Sequence, residues 1–198
     1  GIDTEVFKPA KIMPNKVILY IGRLVPEKGI NVLLKARELL IANKERYKYI
    51  FVGDGPLKKE LQKLARKNKD IILLKPVPYK RVPSLYKKGT VFFYASLRTK
   101  KWEEQYGYSM LEALSSGLPV ISTKGISGPE AIVKDDQTGF LIEEGDHKKL
   151  SYLLEAIMNQ KGLRKLMSVR ARQDAVSRLS KEAVAEQTYK LMESLVKC

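Results

Sequence analysis

The sequence is poor in the residues that build metal sites and covalent frameworks. Its 198 residues hold one cysteine, Cys198, and one histidine, His147. A lone cysteine excludes a disulfide framework and any cysteine-rich metal site, and a lone histidine excludes most His-based metal and triad chemistries. No Asp-x-Asp occurs, so no paired carboxylates stand ready for a metal that bridges a diphosphate. No apolar run approaches the roughly 20 residues of a spanning helix, and no signal peptide opens the chain. Repeats, low-complexity tracts and interior Pro/Gly/Ser linkers are also absent. The chain starts Gly1-Ile2-Asp3 without an initiator methionine, as a piece of a longer protein would.

What is present is enough apolar sequence for one compact domain, 44% of residues, and a strong excess of positive charge. Thirty-seven basic residues against 22 acidic ones leave +15, which favours anionic partners such as nucleotides, phosphates, nucleic acid or an anionic membrane surface.

Short apolar runs alternate with helical periods. The runs are Val17 to Ile21, Tyr49 to Val52, Ile71 to Leu74, Val91 to Tyr94, Val120 to Ser122 and Phe140 to Ile142. Near-continuous apolar runs of this length fit strands buried on both faces. Helical spacing is read at 30–41, 56–68, 82–88 and 107–116, and then without interruption in segments at 146–160, 162–176 and 180–196. This rhythm predicts α/β architecture: a Rossmann-like, doubly wound parallel sheet of about six strands, helices on both faces and a helical C-terminal tail. Ser180 is expected to cap the last helix and His147 to sit in a first turn. The tail cations Lys161, Lys165, Arg164, Arg170, Arg172 and Arg178 read as a solvated face.

Ligands of such sheets bind beyond the carboxyl ends of the strands, and three post-strand loops stand out. Gly22 to Gly29 carries Arg23 and Lys28, a planar fork and a point charge for phosphate oxygens. It is not a Walker loop, and a solvated charged loop is its plain alternative. Gly53-Asp54-Gly55-Pro56 is expected to turn the chain with Pro56 at the first helical position, and it lacks the full dinucleotide fingerprint. The third loop runs from Glu104 through Gln105, Tyr106, Gly107, Tyr108 and Ser109 to Glu112. A helix starting near Gly107 would aim its first amides, at 107 to 109, at an anion. If Glu104 and Glu112 were both helical, eight residues would separate them by roughly 12 Å. Glycosidase carboxyl pairs sit about 5–9.5 Å apart, so two carboxylates gripping different hydroxyl-bearing groups of one ligand is the better reading.

In this order, the segments resemble the C-terminal half of family-4 retaining glycosyltransferases of the two-domain GT-B architecture. The matching phrases are Gly1-Ile2-Asp3 through Phe7, Gly-Arg-x-x-x-x-Lys-Gly at 22 to 29, Gly-x-Gly-Pro at 53 to 56, Glu-x7-Glu at 104 to 112, the small-residue run at 113 to 121, Gly-Pro-Glu at 128 to 130 and Thr-Gly-Phe-Leu at 138 to 141. The resemblance implies a single nucleotide-sugar-binding domain over 1–198, from a hexosyltransferase that is inactive without its N-terminal acceptor domain. It implies that Arg23 and Lys28 bind the donor diphosphate of a uridine or guanosine diphosphate sugar and stabilise the charge that grows there. Glu104 would hold a hydroxyl of the transferred sugar beside the amides of Tyr106 and Gly107. The amides of Tyr108 and Ser109 would face the phosphates, Glu112 would accept the ribose hydroxyls, and Val77 would meet the base through its backbone. No metal and no cofactor are implied, the anomeric configuration is kept, and the setting is cytoplasmic, with the cytosolic membrane face as a docking surface for the basic tail. Gln105 and Pro76 stand where the family usually has glycine, and Tyr106 and Tyr108 replace a phenylalanine and an aliphatic residue. A basic nucleic-acid-binding module and one half of a sugar-nucleotide epimerase are the competing readings.

Overall fold

The computed structural model describes residues 1–12, 16–100 and 103–196; Cys198 lies outside them. Six strands, β1 (Val17–Ile21), β2 (Lys48–Val52), β3 (Ile71–Leu74), β4 (Val91–Tyr94), β5 (Val120–Thr123) and β6 (Gly139–Ile142), form one sheet in the order β3-β2-β1-β4-β5-β6. Every neighbouring pair is parallel. The order reverses between β1 and β4, which makes that junction the switch point where a ligand crevice opens.

Both faces are covered, and this is why the strands read as mostly apolar, with Lys48 at the open start of β2 and the bonded hydroxyls of Ser122 and Thr123 in β5 as exceptions. Ile18, Tyr20, Val91 and Phe93 enter one core with α1 (Ile30–Ala42), α2 (Lys58–Lys67) and α6 (His147–Asn159). The alternate residues Val17, Leu19, Phe92 and Tyr94 enter the other with Phe7, α3 (Val82–Tyr86) and α4 (Tyr108–Ser115). The six strands lie where the apolar runs place them. Ser180 Oγ accepts from the Ala183 amide at 3.1 Å at the head of α8 (Lys181–Val196), and Asp146 caps α6 through the Lys149 amide, with His147 in its first turn.

Four features differ from the sequence reading. Pro56 is not a helical residue: the chain makes a turn at Gly55, closed by Lys58 N–H to Gly55 O at 3.0 Å, and α2 begins at Lys58. A short helix, α5 (Ser127–Ile132), escapes the pattern because six residues holding Gly128 and Pro129 show no period. Glu104 lies before α4 in irregular chain, so the helical spacing to Glu112 does not apply. The tail is not uniformly a solvated face either. In α7 (Lys161–Asp174) and the π-turn after it, Arg164 bonds Met158 O, Arg172 bonds Thr4 O, Phe7 O and Ser115 O, and Arg178 bonds Asp174 and Ile132 O. Only Lys161, Lys165 and Arg170 of the six cations are exposed.

Arg172 clasps the N-terminal segment onto α4, with donor distances of 2.8–2.9 Å to three carbonyls. Arg172→Ala leaves carbonyls short of partners at about 1–3 kcal/mol each, and the melting temperature is expected to fall by roughly 5 °C or more. A thermal melt within one degree of wild type would show the clasp to be idle.

Candidate functional site

The loops beyond β1 and β2 interlock. Leu24 N–H donates to Asp54 O at 2.8 Å, and Leu57 N–H donates to Leu24 O at 3.0 Å. A Cβ on Gly53 would lie 1.9 Å from Gly22 O, so only glycine permits this approach. Tyr20 OH, wholly buried, donates to Arg23 O and holds the loop from below. Between these loops and the segment after β3 lies a cavity of about 330 Å³, lined by Ile21, Arg23, Val52, Pro76, Val77 and Leu85 among others. Its wall is mostly aliphatic, and Val77 is part of it.

Lys28 is not a solvated loop cation. Pro26–Lys28 forms one 3-10 turn, and the Lys28 side chain is 8% exposed. Its ammonium donates to Glu104 Oε2 and, at 2.8 Å, to Tyr94 OH. Tyr94 OH in turn donates to Glu104 Oε2 at 2.7 Å, and Ser96 Oγ does so at 3.3 Å. Burial disfavours both charges here. It lowers the Lys28 ammonium against the pull of Glu104; at Glu104 burial pushes the carboxyl up, and the donors Lys28, Tyr94 and Ser96 overcome it and hold the group below its ordinary range. Arg23 extends outward, 62% exposed, with Nη2 4.0 Å from Glu27 Oε1, and its charge is felt at Lys28. It is the accessible cation of the pair, and Lys28 is the anchored one.

Gly107, in the left-handed region at φ 72°, opens α4 with no side-chain cap on the helix end. A Cβ there would strike the Met110 methyl at 2.5 Å and the Tyr94 ring at 3.1 Å, so the turn into the helix is packed against the Lys28–Glu104 cluster. The first-turn amides of Tyr108 and Ser109 thus start beside that cluster. Tyr106 and Tyr108 meet edge to face at 5.3 Å, Tyr108 exposed and Tyr106 half-buried. One helical turn inside, buried Glu112 accepts from Tyr86 OH at 2.7 Å on Oε2 and from Tyr79 OH at 3.1 Å on Oε1. Burial raises the Glu112 carboxyl above its ordinary value, and the two tyrosine hydrogen bonds offset only part of that rise.

The structure therefore joins Lys28 to Glu104, places Arg23 and Val77 on one cavity, and ties Glu112 to the segment that carries Val77. The two glutamates are connected through adjoining rings: Tyr86 meets Phe92 at a tilt at 5.5 Å, and Phe92 stacks on Tyr94 at 6.1 Å. Sequence reasoning missed Tyr79, Tyr86, Tyr94 and Ser96. Tyr94 and Ser96 had a signal, since they stand at the carboxyl end of a strand read as β. Tyr86 sits in an apolar period, where nothing separates a core tyrosine from one that holds a carboxylate.

A family model described as glycosyl transferases group 1 matches residues 1–174. The chain belongs to that family. Among curated relatives, this glycosyl transferase domain is 27% identical over 186 residues to the poly(ribitol-phosphate) alpha-N-acetylglucosaminyltransferase of Staphylococcus aureus, covering 94% of this chain and 37% of the relative. It is 32% identical over 193 residues to the D-inositol 3-phosphate glycosyltransferase of Corynebacterium urealyticum, covering 91% and 43%. The chain thus spans less than half the length of these relatives. Among solved structures, the C-terminal domain of the group 1 protein LpcC from Francisella tularensis superposes with TM-score 0.77 at 23% identity, over 91% of this chain and 100% of that one. Anabaena HepE, solved with UDP and glucose, gives TM-score 0.78 at 19% identity over 98% of this chain and 55% of that one. These likenesses establish the GT-B fold for the group 1 domain. No helix among its described residues is long and apolar enough to cross a membrane.

Proposed function

We propose that this group 1 domain is the donor-binding half of a retaining, metal-independent hexosyltransferase. The observation that carries the reading is the contact of Lys28 with Glu104, which brings the two motif loops to one point beside the opening of α4. The base would lie in the aliphatic cavity against Val77, with its ribose on Glu112. The diphosphate would lie across Arg23, Lys28 and the amides of Tyr108 and Ser109, with a sugar hydroxyl on Glu104 Oε1 and the amides of Tyr106 and Gly107. In the transfer, the bond from the anomeric carbon to the phosphate oxygen breaks. The acceptor hydroxyl forms the new bond on the same face, and its proton goes to the departing phosphate oxygen. Arg23 and Lys28 stabilise the charge that builds on the diphosphate. Relatives of about twice this length or more support a second, N-terminal domain that supplies the acceptor site. Docking to an anionic membrane surface would draw on exposed Lys161, Lys165 and Arg170, at about 1 kcal/mol each.

UDP is the first probe, because HepE holds it. Arg23→Ala is expected to weaken UDP by tenfold or more, the loss of one charged hydrogen bond of about 1.5–3 kcal/mol, while uridine binding changes little. Calorimetric titration of both ligands checks this, and equal losses for the two would remove Arg23 from the diphosphate.

A further inference from the structure

Tyr79 has no place in the motifs, yet it closes a ring of contacts around Glu112. It stands in the 3-10 turn Tyr79–Arg81 and is 62% exposed, but its hydroxyl reaches inward to Glu112 Oε1 at 3.1 Å. Its ring meets Phe7 edge to face at 6.0 Å, Phe7 meets Tyr86 in the same manner at 5.8 Å, and Tyr86 OH returns to Glu112 Oε2 at 2.7 Å. Phe7 is itself buried, with its carbonyl held by Arg172 and by Ser115 Oγ. Three aromatic rings and one carboxylate thus form a closed circuit, of which Tyr79 is the solvent-facing member.

The segment ahead of Tyr79 explains why a tie is needed there. Lys75-Pro76-Val77-Pro78 leaves the edge strand β3, and its two prolines have no N–H to donate to a neighbour. Pro76 and Val77 nonetheless line the cavity beside Arg23. We propose that Tyr79 is a positioning residue of the nucleotide site, its hydroxyl fastening the base-contact segment 75–78 to the carboxylate of Glu112 so that base and ribose contacts keep a fixed separation. This inference rests on the donor-site reading above. Tyr79 need not leave when a ribose arrives, because a carboxylate oxygen has two lone pairs and Oε1 can accept from both. The Phe7 contact fixes the ring, so the hydroxyl is already aimed before the ligand binds, which limits the ordering cost of binding.

The test uses Tyr79→Phe, which keeps the ring and its packing on Phe7 and removes the hydroxyl alone. UDP and inorganic pyrophosphate are titrated calorimetrically into the wild-type chain and the variant. The expected result is a UDP Kd raised roughly five- to tenfold, the size of one hydrogen bond, with the pyrophosphate Kd unchanged, since Arg23, Lys28 and the α4 amides are untouched. The melting temperature of the variant should stay within about two degrees of wild type, because the ring keeps its Phe7 contact and Glu112 keeps its Tyr86 hydrogen bond. A merely structural role would weaken both ligands together or lower the melting temperature, and either result overturns the proposal. Unchanged or tighter UDP binding overturns it as well, the latter by showing that the hydroxyl competes with ribose. If the wild-type chain binds neither UDP nor GDP, the nucleotide site itself falls and this proposal with it. Nucleotide binding by wild type without an effect at Tyr79 removes only the positioning role.

Discussion

Lys28→Ala is expected to lower the melting temperature by roughly 10 °C and to abolish transfer in the full-length enzyme. The variant leaves the Glu104 carboxylate, 11% exposed, with the Tyr94 and Ser96 hydroxyls and without the Lys28 ammonium. Breaking a buried pair from one side costs about 3–5 kcal/mol, and each kcal/mol is worth about 2–4 °C in a domain of this size. Removing the charge from both sides tests the cause. Lys28→Met with Glu104→Gln keeps an acceptor for Tyr94 and Ser96, and it should recover most of the lost melting temperature while remaining inactive. Acid dependence gives a second check. Glu104 is held below its ordinary value of 4.5 in the fold, so its stabilisation is present above that value and is lost as pH falls through the lower folded one. Without Lys28, only the Tyr94 and Ser96 hydroxyls oppose burial, so the carboxyl rises and that loss of stability in acid should shrink. A Lys28→Ala protein that melts with wild type, or a double variant no more stable than the single, would show that the pair does not hold the loops.

Glu112→Gln is expected to separate stability from binding. Its carboxyl is raised by burial, so the charged form is the disfavoured one and costs stability at neutral pH. Glutamine keeps an acceptor for one tyrosine hydroxyl and offers an NH2 donor to the other oxygen, without the buried charge. The variant should melt at or slightly above wild type, yet bind UDP about tenfold or more weakly, because charged hydrogen bonds to ribose are worth about 1.5–3 kcal/mol. In wild type, UDP binding should weaken on acidification at a higher pH than an exposed glutamate would give, as Glu112 takes up its proton. The terminal phosphate of UDP also titrates, near about pH 6, and comparison with the variant cancels that contribution. Calorimetric titrations across pH check the point. Identical pH profiles in the two proteins would take the ribose off Glu112.

These two glutamates also mark how far the residues alone carry the reading. Glu104 and Glu112 are conspicuous because charged groups spaced around a glycine at a helix start are unusual. Their surroundings were not legible. Tyr86 reads as one more apolar member of a helical period, and only the fold turns its hydroxyl onto a carboxylate 26 positions away. Arg172 reads as a solvated charge, since the three carbonyls that it clasps come from residues 57 to 168 positions distant. Pro56 and α5 were misread or missed for a local reason: turns and one-turn helices are set by a few hydrogen bonds and leave no periodic trace.

The parallel sheet, the strand positions and the family are legible in the residues, because strands buried on both faces are apolar at most positions and the glycine-bearing loops follow them in order. That Lys28 is anchored while Arg23 reaches outward, and that Glu112 is enclosed by tyrosines, emerges only from the folded arrangement. Burial and hydrogen bonding depend on which distant segments meet, and that is settled when two faces of a sheet are covered rather than by any residue's own chemistry.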